Sequence, residues 1–166
     1  MTTPERTVSY DQASRVTAIG DYSLEYNDRG LLTKASKATN QIAAYTYDAL
    51  GNPTQRIDAT GMANYTWDAA SRLKTAGDPV TGRTFTYDYD KADNLLSKTS
   101  ANPVNAQAYT YDAANRLTSQ TLKNSSGSEL SKIAYGWDKD DNLTSKTTSG
   151  TAARAPTATA TTTPDG

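Results

Sequence analysis

Hydrophobic and polar positions along this chain alternate with a period of two, and rings carry the alternation. Tyr45 and Tyr47, Tyr65 and Trp67, Tyr87 and Tyr89, Tyr109 and Tyr111, and Tyr135 and Trp137 each leave one residue between them. Tyr22 lies four residues before Tyr26, and Phe85 four before Tyr89. Positions two and four apart share one face of a strand, whereas a helix needs spacings of three and four. The pattern therefore predicts half-buried β-strands. Each ring run is followed by a short polar stretch and then by Leu or Val. That residue is expected to start a returning strand on the same side as the rings.

Aligning the chain on one aromatic anchor per run exposes an internal repeat. The anchors are Tyr10, Tyr26, Tyr47, Trp67, Tyr89, Tyr111 and Trp137, spaced by 16, 21, 20, 22, 22 and 26 residues. At offset +1 stand Asp11, Asn27, Asp48, Asp68, Asp90, Asp112 and Asp138. At +4 every residue is small or turn-forming, and at +5 Arg or Asn fills six of the seven places. At +6 come Val16, Leu32, Leu73, Leu95, Leu117 and Leu143, with Pro53 the exception. Asp or Asn at +1 can accept a hydrogen bond from its own backbone two residues on, and Gly, Asn or Asp at +4 tolerates positive φ. Each unit is thus a hairpin of strand, four-residue turn and strand, followed by a variable polar link such as Gly77–Gly82 or Lys123–Gly127.

An isolated hairpin is marginal in water, so the units must pair side by side. The +1 carboxylates would then stack in a row, with repulsion offset by turn amides and the +5 Arg. The expected architecture is all-β, with tandem hairpins forming one curved, spiralling antiparallel sheet, a partial β-shell. About fourteen strands at roughly 4.8 Å give about 65 Å of sheet, too long to stay flat given normal twist. Residues 1–9 read as a lead-in, 10–146 as seven hairpin repeats, and 147–166, rich in Thr, Ala and Pro, as a linker or stalk.

Tyr47-Asp-Ala-Leu-Gly-Asn, Trp67-Asp-Ala-Ala-Ser-Arg-Leu and Tyr111-Asp-Ala-Ala-Asn-Arg-Leu resemble YD repeats, the motif of the Rhs family and of the shells of Tc-type toxins and teneurins. The resemblance spans roughly residues 10–146. It implies hairpins that spiral into a hollow shell, which in bacterial members encloses a toxic domain. It also implies a secreted or cell-surface protein larger than this chain, with further YD repeats or copies of itself at sheet edges and an enclosed toxin as partners, while a cell-surface glycan is the partner the aromatic face would take. Those shells use many more repeats, and neither a toxin domain nor a terminal plug is legible here.

Composition narrows the function. Hydrophobic residues make up 36% of the chain, below the roughly 45–50% of ordinary domains, so burial must rest on aromatic rings. Eleven Tyr against one Phe suggest rings that keep a hydroxyl near water or a partner. A net charge of -1, with its 17 Lys and Arg scattered singly, leaves no electrostatic footprint for nucleic acid. No run approaches transmembrane length, and the first residues lack the apolar stretch of a secretory signal. With no Cys and no His, the usual activators of a hydroxyl nucleophile are absent. No cofactor and no catalysis are expected.

The remaining chemistry is acidic and aromatic. Asp88, Asp90 and Asp93, or Asp138, Asp140 and Asp141, could pair as acid and base, but they also read as solvated turn residues of the repeat. Asp138, Asp140 and Asn142 copy the first three alternate ligands of an EF-hand loop and make a weak calcium candidate, without its Gly or closing Glu. Asp78-Pro79-Val80-Thr81-Gly82 is one residue longer than the Asp-Pro-x-Gly cleavage signature of some Rhs shells and reads as a plain turn. Tyr45, Tyr65, Tyr87, Tyr109 and Tyr135 could form a platform for sugar rings, in competition with a buried face. The leading expectation is a structural segment that walls off cargo or spaces domains. The alternatives are a carbohydrate- or protein-binding adhesion module and a self-assembling filament subunit that pairs copies through sheet edges.

Overall fold

A computed structural model describes residues 7–101 and 105–150. Among these residues the chain is all-β, with fourteen strands and no helix. It divides into two units, Met1–Gly82 and Arg83–Gly166. The first holds β1 (Val8–Tyr10), β2 (Val16–Ile19), β3 (Tyr22–Tyr26), β4 (Leu32–Lys37), β5 (Asn40–Tyr47), β6 (Pro53–Asp58), β7 (Gly61–Trp67) and β8 (Leu73–Asp78). The second holds β9 (Arg83–Tyr89), β10 (Leu95–Ser100), β11 (Asn105–Tyr111), β12 (Leu117–Lys123), β13 (Glu129–Trp137) and β14 (Leu143–Ser149). Within each unit every strand pairs antiparallel with its neighbours in the chain.

Every repeat carries the same irregularity. The anchor pairs with its +6 residue, as in Tyr26↔Leu32, Trp67↔Leu73 and Trp137↔Leu143, while the residue before the anchor pairs with +8. The +7 residue is left over as a β-bulge. A bulge bends its strand and adds right-handed twist, so each unit's sheet is curved at regular intervals. The bulge also resets the alternation, which puts the +6 residue on the same face as its ring. Threonine fills +7 in five of the repeats, at Thr17, Thr33, Thr54, Thr118 and Thr144. Its hydroxyl is used on the polar face, where Thr54 meets Thr46 at 2.9 Å and Thr118 meets Thr110 at 2.8 Å.

There is no thick core. Among the described residues the buried apolar ones are Ala35 and Ala63, and no large side chain is fully buried. The anchors from Tyr26 onward are half-buried instead, each covered by its strand neighbours, which suits a chain poor in Leu, Ile and Val.

Two expected boundaries move. Val8 and Ser9, placed in the lead-in by the repeat, already belong to β1. Thr147–Ser149, given to the linker by composition, continue β14 and pair with Lys132–Ala134. The nine-residue β13 offers them a partner, and Thr fits a pleated surface well. The rest of the proposed stalk, residues 151–166, lies outside the described residues.

Candidate functional site

The residues singled out by the repeat converge on a seam where each hairpin turns. At +1 the carboxylate holds the turn from inside. Asp68 Oδ1 accepts the backbone N–H of Ala70 at 2.9 Å and of Arg72 at 3.0 Å. Asp11, Asp48, Asp90, Asp112 and Asp138 each accept from the same two positions. The second oxygen takes the +5 side chain, with Arg15 Nε at 2.6 Å from Asp11 and Arg116 Nε at 2.8 Å from Asp112. Asn52, Asn94 and Asn142 donate their amides in the same way. The one repeat with an apolar +5, Leu31, has Asn27 in place of Asp, and Asn27 Oδ1 still accepts from Arg29 and Leu31 N–H. Where no side-chain donor is offered, the second carboxylate oxygen is dispensed with.

The +4 residue takes positive φ in all seven repeats, from 58° at Ser71 to 91° at Gly51. In the first six its N–H returns to the +1 carbonyl, as from Gly30 to Asn27 at 2.9 Å. Asn124–Ser128 makes the same turn, with Gly127 at φ 83° and Asn124 Oδ1 accepting from Ser126 and Ser128. The sequence reading treated this stretch as a variable link. Its signal was present, an Asn followed three residues on by Gly, but without a ring in front.

The held carboxyls are acidic beyond their type. Asp11, Asp68, Asp112 and Asp138 lie below the ordinary value, first because the +5 backbone N–H donates to the carboxylate. For Asp48 the Asn52 amide is the largest cause.

Rings and +5 side chains tie one repeat to the next. Tyr26 donates its hydroxyl to Val16 O at 2.8 Å, Tyr47 to Leu32 O at 2.6 Å, and Tyr111 to Leu95 O at 3.0 Å. Trp67 Nε1 donates to Pro53 O at 2.7 Å and Trp137 Nε1 to Leu117 O at 2.8 Å. The acceptor is always the +6 carbonyl of the preceding repeat. This explains why Trp replaces Tyr at anchors and Phe does not: the ring must carry a donor. In the forward direction, Arg116 reaches Asp138 O and Asp141, Asn52 reaches Ser71 Oγ, and Asn94 reaches Asn115 Oδ1. Arg29, which the repeat did not single out, substitutes for Leu31 by donating to Asp48 O and Ala49 O, both at 2.7 Å. Arg15 and Arg116 also lie over the next anchor, 4.9 Å from the Tyr26 centroid and 5.9 Å from that of Trp137.

Tyr45, Tyr65, Tyr87, Tyr109 and Tyr135 sit two residues before an anchor, half-buried on the ring face. Tyr109 donates to Gln107 Oε1 at 2.8 Å. Burial raises the hydroxyl pKa of Tyr47, Tyr87, Tyr109 and Tyr111, so all four remain protonated donors at neutral pH. Lys98 lies 4.5 Å from the Phe85 centroid in a shallow hollow shared with Gln107 and Leu122.

The acids do not converge on a common point. Asp90 and Asp138 hold turns, Asp93 and Asp141 occupy positive-φ corners, and Asp88 accepts from Ser97 on the polar face. Asp138, Asp140 and Asn142 share one turn, in which Asn142 directs its amide N–H at Asp138. No cluster of three acid side chains suited to a metal occurs among the described residues. Asp78–Gly82 closes a turn through Gly82 N–H to Asp78 O at 2.8 Å.

The RHS Repeat family matches residues 26–63 and 67–104. Among solved structures, TcdB2–TccC3–Cdc42 shares 18% identity at a TM-score of 0.72 over 89% of this chain. The Photorhabdus luminescens Tc holotoxin pore shares 18% at 0.67 over 86%, and TcdB2–TccC3 shares 18% at 0.71 over 87%. The likeness is one of fold, and this chain spans 9% of the length of each. No curated protein matches it.

Proposed function

We propose that this chain, whose residues 26–63 and 67–104 match the RHS Repeat family, is a non-catalytic structural segment of a larger protein, a length of β-wall that encloses cargo or spaces domains. The observation that carries the reading is the seam. Its polar groups are spent on holding turns and joining repeats, so the chemistry-bearing residue types serve the wall itself. The ring face adds support: it is half-buried within a single layer, with no large side chain fully buried among the described residues. Such a face suits the lining of an enclosure. The Tc toxin structures that share the fold are about ten times longer, which fits a segment. A secreted or cell-surface location in a bacterium belongs to the same proposal.

The test is a blot of producing cells with an antibody against Asn115–Glu129, together with limited proteolysis of the native material. A band far above 17.8 kDa with these repeats resistant to cleavage is expected. A band at the size of this chain alone, cleaved freely at its turns, overturns the proposal.

A further inference from the structure

Two repeats place a half-buried cation nine residues past the anchor, Arg56 after Tyr47 and Lys98 after Tyr89. Both stand directly opposite a ring, in the pairs Tyr45↔Arg56 and Tyr87↔Lys98. Two residues further on, the repeats diverge. The first has Asp58, whose Oδ2 lies 3.1 Å from Arg56 Nε, and the N–H and hydroxyl of Thr60 donate to its other oxygen. The second has Ser100, which is buried and carries no charge. On the far side, Ala63 and Gly61 face Arg56 and Asp58, whereas Gln107 and Asn105 face Lys98 and Ser100.

Lys98 is thus left with an unanswered charge. Its ammonium lies 4.5 Å from the Phe85 centroid and 5.9 Å from that of Tyr87. No carboxylate pairs with it among the described residues, and the link at 101–104, Ala-Asn-Pro-Val, contains no acid. A ring face attracts a cation but is a poor substitute for the lone pairs that its three N–H donors can use. Beside the ammonium lies a hollow of about 160 Å³, lined by Phe85, Lys98, Ser100, Asn105, Gln107 and Leu122, all within the second unit.

We propose that this hollow is a carboxylate site, and that its occupant is an Asp or Glu side chain of another polypeptide. The chain supplies its own precedent: where the repeat keeps a counter-ion at this register, the counter-ion is the side chain of Asp58. Lys98 answers the charge. Tyr109 already donates to Gln107 Oε1, which leaves the Gln107 amide N–H groups to donate to the incoming oxygens. Phe85 and Leu122 cover the methylene stem. The volume is below the roughly 300–1,000 Å³ of pockets that enclose a drug-sized ligand, so one side chain enters while its backbone stays outside. The site goes beyond the wall reading and does not depend on it.

The experiment follows the backbone amide NMR signals of Lys98, Ser100, Asn105 and Gln107 in the full chain at low salt. Acetyl-Gly-Glu-Gly-amide, its Gln counterpart and glucuronate are added in turn. The Glu peptide shifts these signals saturably, with a Kd on the order of 1 mM. The Gln peptide binds about tenfold more weakly, having lost a hydrogen-bonded charge, and so does the Glu peptide with Lys98→Met. Ser100→Asp restores the internal counter-ion and abolishes binding. It also lowers the urea midpoint less in the parent chain than in Lys98→Met, where the buried carboxylate stands unpaired. Equal binding of the Gln peptide, undiminished binding by Ser100→Asp, an equal midpoint loss in both backgrounds, or no saturable shift at these residues overturns the proposal. Glucuronate binding more tightly than the Glu peptide overturns the polypeptide occupant in favour of a sugar acid.

Discussion

At the scale of single residues, the chain reuses one pair of atoms many times: a ring donor and the carbonyl behind it. Tyr47→Phe removes the bond to Leu32 O and is expected to lower stability by about 1 kcal/mol, read as a shift in urea midpoint. Tyr47→Trp, which restores a donor as at Trp67, should lose less. The +1 carboxyls make a second prediction. Their folded-state pKa values are lowered, so the stability they contribute is fully present above the unfolded value of about 4. It is lost as pH falls through the lower folded values. Melting temperature should therefore be nearly flat from pH 5 to 8, a range in which a chain without His has no side chain that ordinarily titrates. It should then drop below about pH 4, and Asp48→Asn should make that drop shallower. The Asn27 and Leu31 turn supplies a third test. The double variant Asp112→Asn with Arg116→Leu copies it, and in denaturation should lose less than the two single variants added together.

At the scale of the hairpin, backbone conformation decides. Gly51 sits at φ 91°, and a Cβ there would meet only Leu31 Cδ1 at an ordinary 3.6 Å. Gly51→Val therefore has room and still suffers, by more than about 1 kcal/mol, from backbone strain. Ser14→Gly at φ 60° should gain up to about 1 kcal/mol, less the entropy of glycine in the unfolded chain. Thermal unfolding of the two variants checks both signs. Much of the hairpin was legible in the sequence, because ring spacing reports strand parity and the Asx position reports the turn. The bulge was not, since parity counted across a turn says nothing about an extra residue beyond it. The recurring Thr at +7 was the available sign. The Asn124 turn escaped because the reading required a ring in front, where Lys123 stands. Arg29 escaped because the bridge it makes belongs, in other repeats, to +5.

At the scale of the whole molecule, stability is a sum over junctions rather than the property of a core, as in other repeat arrays. Strands with two partners should be harder to open than strands with one. Hydrogen exchange is expected to be slowest in the central strands of each unit, such as β4–β6 and β11–β12. It should be fastest in β1 and β14, the second of which is exposed along its full length. Uniform protection along the chain would contradict this. All-β character, the number of strands and the repeat were readable from spacing alone. The absence of any fully buried large side chain among the described residues was less so, because a ring at a period-two position looks the same in sequence whether one layer covers it or two.

The direction of the ring bond also bears on how the protein is made. Tyr26, Tyr47, Trp67, Tyr111 and Trp137 donate backwards, to a carbonyl that left the ribosome a repeat earlier. At about 5–20 residues per second, a repeat near 21 residues takes roughly 1–4 s to emerge, whereas a hairpin closes in about 1–10 μs. Within each unit a new hairpin with such a ring therefore meets a finished template with its acceptor already in place, and the sheet can be laid course by course during translation.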